Sequence, residues 1–416
     1  MNLRATLPLG RVALILVMEQ NESKKTIRIF AWGSFLNDLG SDIIYPIWPL
    51  FVTSVLGANM AVLGLIDGLG EAIVSISQAV SGYVSDRIKK RKVFVWVGYL
   101  CGGLSRIGYS FSAVWQHLAV FKVLDRAGKI RGAPRDAIIA DISTPENRGR
   151  NFGLLRAMDN LGAVCGIVIS ILFLNLLGYR TLFLLAAIPS LVSSFLIFSR
   201  IKERKAENIQ AYKGISFGLG YRKPNHGPLA SRHIDNNFKL FLFLSSVFAL
   251  GAFSYSFLLI YARECGFKVG FVPVLYLLFT LVAAVFSLPF GRLSDKIGRK
   301  PVLFLAYSFW ALAALGFILF RGYTGVIIGF VLYGLHKAAL DPVQKTFVSE
   351  LAPSEYKASI LGGFQMAIGL CALPASLIAG LLWDGVGLAA PFYLSFVLTV
   401  VSMCMLMCIT PPRKLR

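Results

Sequence analysis

Apolar residues in this chain come in long runs separated by short polar stretches. Twelve such runs can be marked, near 28–55, 60–85, 93–112, 115–140, 150–176, 180–199, 238–262, 271–291, 301–320, 324–348, 358–382 and 389–410. A helix rises about 1.5 Å per residue, so roughly 20 apolar residues cross a hydrocarbon core about 30 Å thick. Inside lipid the backbone must satisfy its own hydrogen bonds, which a helix does within a single segment. The pattern therefore predicts an all-α polytopic membrane protein with twelve transmembrane helices.

One long polar stretch, Arg200 to Asn237, divides the runs six and six. It predicts an amino-terminal bundle over 28–199, a linker over 200–237, a carboxy-terminal bundle over 238–410 and a tail over 411–416. Residues 1–27 read as an amino-terminal segment. Arg11 precedes seven apolar residues, Val12 to Met18, with no small-x-small cleavage site, so no signal peptide is expected. Met18, followed by the polar stretch Glu19 to Lys25, offers an alternative start, and an interfacial helix is the other reading.

Composition agrees with lipid as the solvent: 56% of the 416 residues are hydrophobic, 15% are charged, and the mean hydropathy is +0.68. The charge is lopsided, with 42 Lys and Arg against 21 Asp and Glu. These basic residues sit between hydrophobic runs rather than on a recognition element, which argues against a nucleic-acid partner. The linker carries Lys202, Arg204, Lys205, Lys213, Arg222, Lys223 and Arg232, and alternate short loops carry Arg87 to Lys92, Arg148 and Arg150, and Lys296, Arg299 and Lys300. Gly57-Ala58-Asn59 and Ala113 to Gln116, on the other side, are uncharged. Positive loops stay inside, so the linker and both termini are expected in the cytoplasm of a multi-pass cell-membrane protein, where basic loops also meet anionic lipid. The six cysteines show neither metal-ligand spacing nor the pairing of a secreted scaffold, and neither a disulfide nor a metal site is expected.

The chain repeats itself. Gly82-Tyr-Val-Ser-Asp86-Arg87 recurs as Gly291-Arg-Leu-Ser-Asp295-Lys296, an offset of 209 (295 − 86), and Tyr45 matches Tyr255 at 210 (255 − 45). Pro134 and Pro145 match Pro342 and Pro353, each at 208 (342 − 134 and 353 − 145). A duplicated six-helix unit allows two similar bundles to rock about a midplane site.

The segments Gly82 to Lys92 and Gly291 to Lys300 resemble the signature loop of the major facilitator superfamily, Gly-x-x-x-Asp-Arg-x-Gly-Arg-Arg/Lys. Lys89 stands where the first copy would have its inner glycine. Phe35 to Pro46, Asp125-Arg126-Ala-Gly-Lys129, Ala133 to Ala137, Pro145 to Arg150 and Arg156 to Asp159 are similar to a bacterial subgroup of that superfamily. The chain is one residue shorter than the subgroup between Lys129 and Arg131, about 100° of helix rotation. The resemblance implies two pseudo-symmetric six-helix bundles around a central cavity, and transport by alternating access. It also implies a cytoplasmic gate of Gly82, Asp86, Arg87, Arg91, Arg135, Gly291, Asp295, Gly298 and Arg299, with Asp86 as the switch and Arg135 its basic neighbour.

Charge inside a lipid-spanning helix is costly and is expected to face a cavity or a partner. On the first helix Asp38, Asp42 and Tyr45 share one face, and on the second Asp67, Glu71, Ser75 and Gln78 form a polar stripe. Arg126 and Lys129 on the fourth helix and Arg156 on the fifth are the basic counterparts, with Asp125 and Asp159 beside them. A carboxylate desolvated in one state and paired with an arginine in another can load and release a proton. The expected function is thus proton-coupled secondary transport of a small polar or ionic solute, with no cofactor beyond the proton and activity as a monomer. Salt bridges that only pin the bundle are the plainer alternative. His336, beside Lys337, Asp341 and Lys345, is a further coupling candidate because an imidazole titrates near neutral pH. Gly162 to Gly166 is a small-xxx-small seam that permits tight packing and resembles the superfamily's antiporter motif, but Ile167 replaces its proline, which leaves the direction open with export mildly favoured. Facilitative uniport and a non-transporting receptor are the competing functions. An enzyme is not expected, because no hydrolase, nucleotide or redox motif accompanies the charges.

Overall fold

The computed structural model describes the backbone of residues 9–88, 90–143, 148–201, 236–351 and 357–409. The predicted linker, apart from its ends, and the tail lie outside the described residues, as do residues 1–8. All the regular elements among the described residues are helical, and they form twelve spans.

The first span is a helix over Leu9–Ile44, continued after a break by Trp48–Leu50 and the π-turn Phe51–Val55. Its helical backbone begins well before the apolar run at residue 28. The break falls at Tyr45-Pro46-Ile47, where Pro46 can donate no hydrogen bond and Pro49 leaves the Tyr45 carbonyl without its helical donor. The second span is Met60–Ile88 and the third Lys92–Phe111. The fourth comprises Trp115–Ala127, a 3-10 turn over Gly128–Arg131 and Gly132–Asp141. That turn is where the sequence is one residue short, and 3-10 geometry takes three residues per turn instead of 3.6. It lies against the third span, where a Cβ on Gly98 would come within 2.4 Å of the Gly128 carbonyl oxygen.

The fifth and sixth spans form one continuous run, Arg148–Arg200, interrupted at Gly178 with φ of 72°. The seventh repeats the interruption of the first: Asn236–Gly251, a break, then Tyr255–Glu264, with the Ser254 side chain capping the second piece. The eighth comprises the short turn Val269–Phe271 and Val272–Ile297, followed by Arg299–Leu319, Tyr323–Leu351, Lys357–Gly385 and Ala390–Met407. Among the described residues eight helices are long and apolar enough to cross a membrane, and one of these, Asn151–Arg200, contains both the fifth and sixth spans. The first, third and fourth spans fall outside that group because charged and polar residues lower the hydropathy of their apolar stretches.

Within the first half, the first and third spans pack on the run containing the fifth and sixth, and the fourth packs on the second and third. Within the second half, the ninth and tenth, eighth and tenth, and seventh and twelfth pair in the same way. The bundles meet where the second span packs on the eleventh, the first on the seventh, and the run of the fifth and sixth on the eighth. Their interiors differ in chemistry. The second is aromatic, with Phe253, Phe257, Tyr261, Trp310, Phe317 and Phe392 buried against one another. The first buries a charge: Arg106, 2% exposed, donates to the carbonyls of Ala186 and Asn37 and to the hydroxyls of Ser190 and Ser41.

Candidate functional site

Asp67 stands seven residues into the second span, about 10 Å from its start at the uncharged loops. Its carboxylate is buried and fully surrounded by donors. Trp48 Nε1 donates to Oδ1 at 2.9 Å, and Lys122 Nζ lies 3.4 Å from the same oxygen and 3.8 Å above the Trp48 ring. Ser254 and Ser256 donate to Oδ2 at 2.8 and 2.5 Å. Those two serines lie where the second piece of the seventh span begins, so an acid of the first bundle is held by the second.

One turn along the same stripe, Glu71 is half exposed and pairs with Arg126 at 3.7 Å. Arg126 also donates to the Tyr45 hydroxyl at 3.3 Å and lies 3.8 Å from Asp125, while its buried Nε has no hydrogen-bond partner. Asp42 is buried, with Lys129, Arg106, Asp38 and Tyr276 of the second bundle as its charged and polar neighbours. Opposite Glu71, the tenth span supplies Lys337, ion-paired to Asp341 at 3.1 Å and electrostatically coupled to Glu71.

Further toward the basic loops lies a second cluster. Arg135 donates to Asp136 at 3.0 Å and to the Ser34 hydroxyl at 2.8 Å, and lies 3.8 Å from buried Asp159. Arg156, largely exposed, reaches the same carboxylate at 3.8 Å, and Asp38 is Asp159's other charged neighbour. Asp38 itself accepts from Asn37 at 2.8 Å. The predicted cavity residues thus divide into two groups, one around Arg126 and Asp67 and one around Arg135 and Asp159. His336 belongs to neither: its Nδ1 is 2.8 Å from the Ala306 carbonyl oxygen, and its ring packs among Phe248, Trp310 and Tyr333.

The bundles are closed at the uncharged end and apart at the basic end. Asp384 of the eleventh span accepts from the backbone N–H groups of Met60 and Ala61 at 3.1 and 2.8 Å, capping the second span from the opposite bundle. The same two spans then touch backbone to backbone. A Cβ on Gly64 would meet the Ser376 carbonyl oxygen at 2.0 Å, and one on Gly380 the Met60 carbonyl oxygen at 2.3 Å. This contact runs as far as Ser75 and Gly369. Beyond it the same two faces, Gln78 and Ala79 on one side and Gly362, Gln365 and Met366 on the other, are exposed.

At the basic end the two loop copies hold related clamps. Arg91 bonds Asp141 at the end of the fourth span, and Arg299 bonds Glu350 near the end of the tenth at 3.0 Å. Arg299 also donates to Asp295 at 2.5 Å and to Ser294 at 2.6 Å. Gly298 has φ of 98°, a conformation that glycine adopts without strain, whereas Gly82 and Gly291 have ordinary helical surroundings and Arg87 is exposed. The Asp86 side chain, expected to act as switch, lies outside the described residues. Arg106, Lys122, Asn37, Ser254, Ser256 and Asp384 join the site without having stood out in the sequence. Lys122 lies four residues before Arg126, a helical spacing that pointed to it, but nothing local marked the serines or Asp384.

The arrangement matches known transporters. The Major Facilitator Superfamily model matches residues 30–274 and 240–416. An uncharacterized MFS-type transporter of Methanocaldococcus jannaschii is 37% identical over 390 residues, covering 92% of this chain and 94% of that one. The fold is similar to that of a D-xylose-proton symporter (TM-score 0.72, 14% identity, 93% of this chain and 98% of that chain). It is also similar to that of the nucleoside transporter NupG (TM-score 0.71, 12% identity, 92% and 98%). With the family matched over nearly the whole chain and two six-helix bundles meeting around a charged interior, this protein belongs to the major facilitator superfamily of membrane transporters.

Proposed function

We propose that this transporter carries a small polar or ionic solute by alternating access, coupled to protons through the amino-terminal carboxylates Asp38, Asp42, Asp67 and Glu71. Arg126 and Arg156 are their exchanging partners. The observation that carries this reading is the split of the bundle interface, sealed around Asp67 and Asp384 and separated beyond Ser75 and Gly369. With the basic loops inside, the sealed end is extracellular and the solute path opens to the cytoplasm. Reversing the split exposes the same charged groups to the other side, and an acid whose partner changes between the two states can carry a proton. The fold of a proton symporter among the similar structures is compatible with this mechanism. The glycines of the antiporter-like segment pack directly on the first span, where a Cβ on Gly162 would come 2.4 Å from the Phe35 carbonyl oxygen, so they serve close helix contact and leave the direction open, with export mildly favoured.

A thermal-shift screen over candidate solutes identifies one that stabilises the folded protein. In proteoliposomes, a pH gradient is then expected to drive its accumulation. Neutralising the carrier carboxylate abolishes uphill transport and leaves solute exchange. Intact pH-driven accumulation in all four single variants would place the carrier elsewhere, and accumulation that ignores pH would make the protein a uniporter. A cysteine in the 200–237 connector is expected to label only from the cytoplasm, which tests the orientation separately.

A further inference from the structure

At the basic end, residues 21–32 of the first span's helix and the end of the sixth span enclose a groove of about 560 Å³, away from the bundle interface. It is lined by Lys24, Lys25, Arg28, Trp32, Leu196 and Arg200, among others. We propose that this groove binds the phosphate headgroup of an anionic phospholipid from the leaflet at the basic end.

The four cations are exposed, and among the described residues none has an acid within ion-pair distance. In sequence the adjoining connector is itself basic, since residues 202–235 contain seven Lys and Arg against three Asp and Glu. Converging cations without an anion are a site for one. Layering along the groove selects a lipid over a free anion. Lys24, Arg28 and Trp32 follow at i, i+4 and i+8 on one helix face, so the indole lies about 6 Å deeper than Arg28. Leu196 lies one turn deeper than Arg200 on the sixth span. Charge at the rim with an aromatic and an aliphatic side chain below it matches a phosphodiester above glycerol and acyl carbons. Tryptophan also favours that interfacial depth. Trp32 is 55% exposed and free to meet a lipid chain.

The test uses the full-length protein in nanodiscs of phosphatidylcholine containing a minor fraction of brominated lipid. Trp32 fluorescence is isolated by difference from Trp32→Phe. Brominated phosphatidylglycerol is expected to quench Trp32 more strongly than brominated phosphatidylcholine at equal fraction. Arg28→Gln and Arg200→Gln should each cut that preference about fivefold, the worth of one basic side chain at an anionic surface. Arg28→Lys and Arg200→Lys keep the charge and should retain most of the preference, which separates recognition from misfolding. Equal quenching by the two lipids, or an unchanged preference in the glutamine variants, overturns the proposal. So does displacement of phosphatidylglycerol by inorganic phosphate, which would make the groove a site for a soluble anion.

Discussion

The hydroxyl of Tyr255 donates to the backbone carbonyl of Tyr45 at 3.4 Å, so two residues occupying the same place in the two repeats touch each other. Each sits where its span is interrupted. Pro49 deprives the Tyr45 carbonyl of its helical donor, and the partner repeat supplies a replacement across the interface. Contact between equivalent residues puts them close to the pseudo-two-fold axis that relates the bundles.

Tyr255→Phe removes this bond while keeping the ring that packs on Tyr276. One net hydrogen bond is worth about 1 kcal/mol, so the balance between the two states should move about fivefold toward opening at the uncharged end. Distances between spin labels at the exposed positions Val55 and Val386 would report the shift. An unchanged distribution would mean that the bond is too long to matter.

Asp67 and Lys122 form a buried pair, with side chains 7% and 4% exposed. Removing one partner of such a pair costs about 3–5 kcal/mol, because the other charge is left unsatisfied, whereas removing both is often close to neutral. Lys122→Met alone should lower thermal stability markedly, and the double variant with Asp67→Asn should recover much of it. A strictly additive loss in thermal unfolding would show that the two side chains do not act as a unit.

The second and eleventh spans approach closely because Gly64 and Gly380 present no side chain at the contact. Gly64→Ala or Gly380→Ala places a methyl group against backbone carbonyls that cannot move aside. The sealed state is then penalised more than the open one. Reactivity of a cysteine at Ala58, which is 8% exposed, should rise from the uncharged side in both variants.

Asp86→Asn is expected to express normally yet suppress turnover, since it removes a charge from the family's loop switch. Arg91→Gln and Arg299→Gln are controls for stability: their ion pairs are partly exposed and worth about 1 kcal/mol or less each. Full transport by Asp86→Asn in proteoliposomes would reduce the loop to an anchor.

His336 illustrates how far a sequence can be read. Its residue type and its charged neighbours on the tenth span suggested a titrating site, but helix periodicity alone does not say which face turns inward. Packing buries it at 3% exposure, with an aromatic cage and a backbone carbonyl as partners. Lys337, the next residue, instead has Glu71 of the opposite bundle among its charged neighbours.

The twelve spans, their division into two halves and the superfamily follow from the sequence itself. Lipid permits only internally hydrogen-bonded segments, and duplication leaves landmarks at a fixed offset. Asp38, Asp42, Asp67, Glu71 and Arg126 were also visible there, because charge in an apolar run is rare enough to stand out. Only the tertiary structure decided who pairs with whom. Ser254 and Ser256 lie 187 and 189 positions from Asp67, and Asp384 lies 324 from the Met60 amide it caps. Nothing in a local pattern of polar and apolar residues encodes such distant partners, nor which end of the bundle is sealed, because both depend on how the two bundles are set against each other.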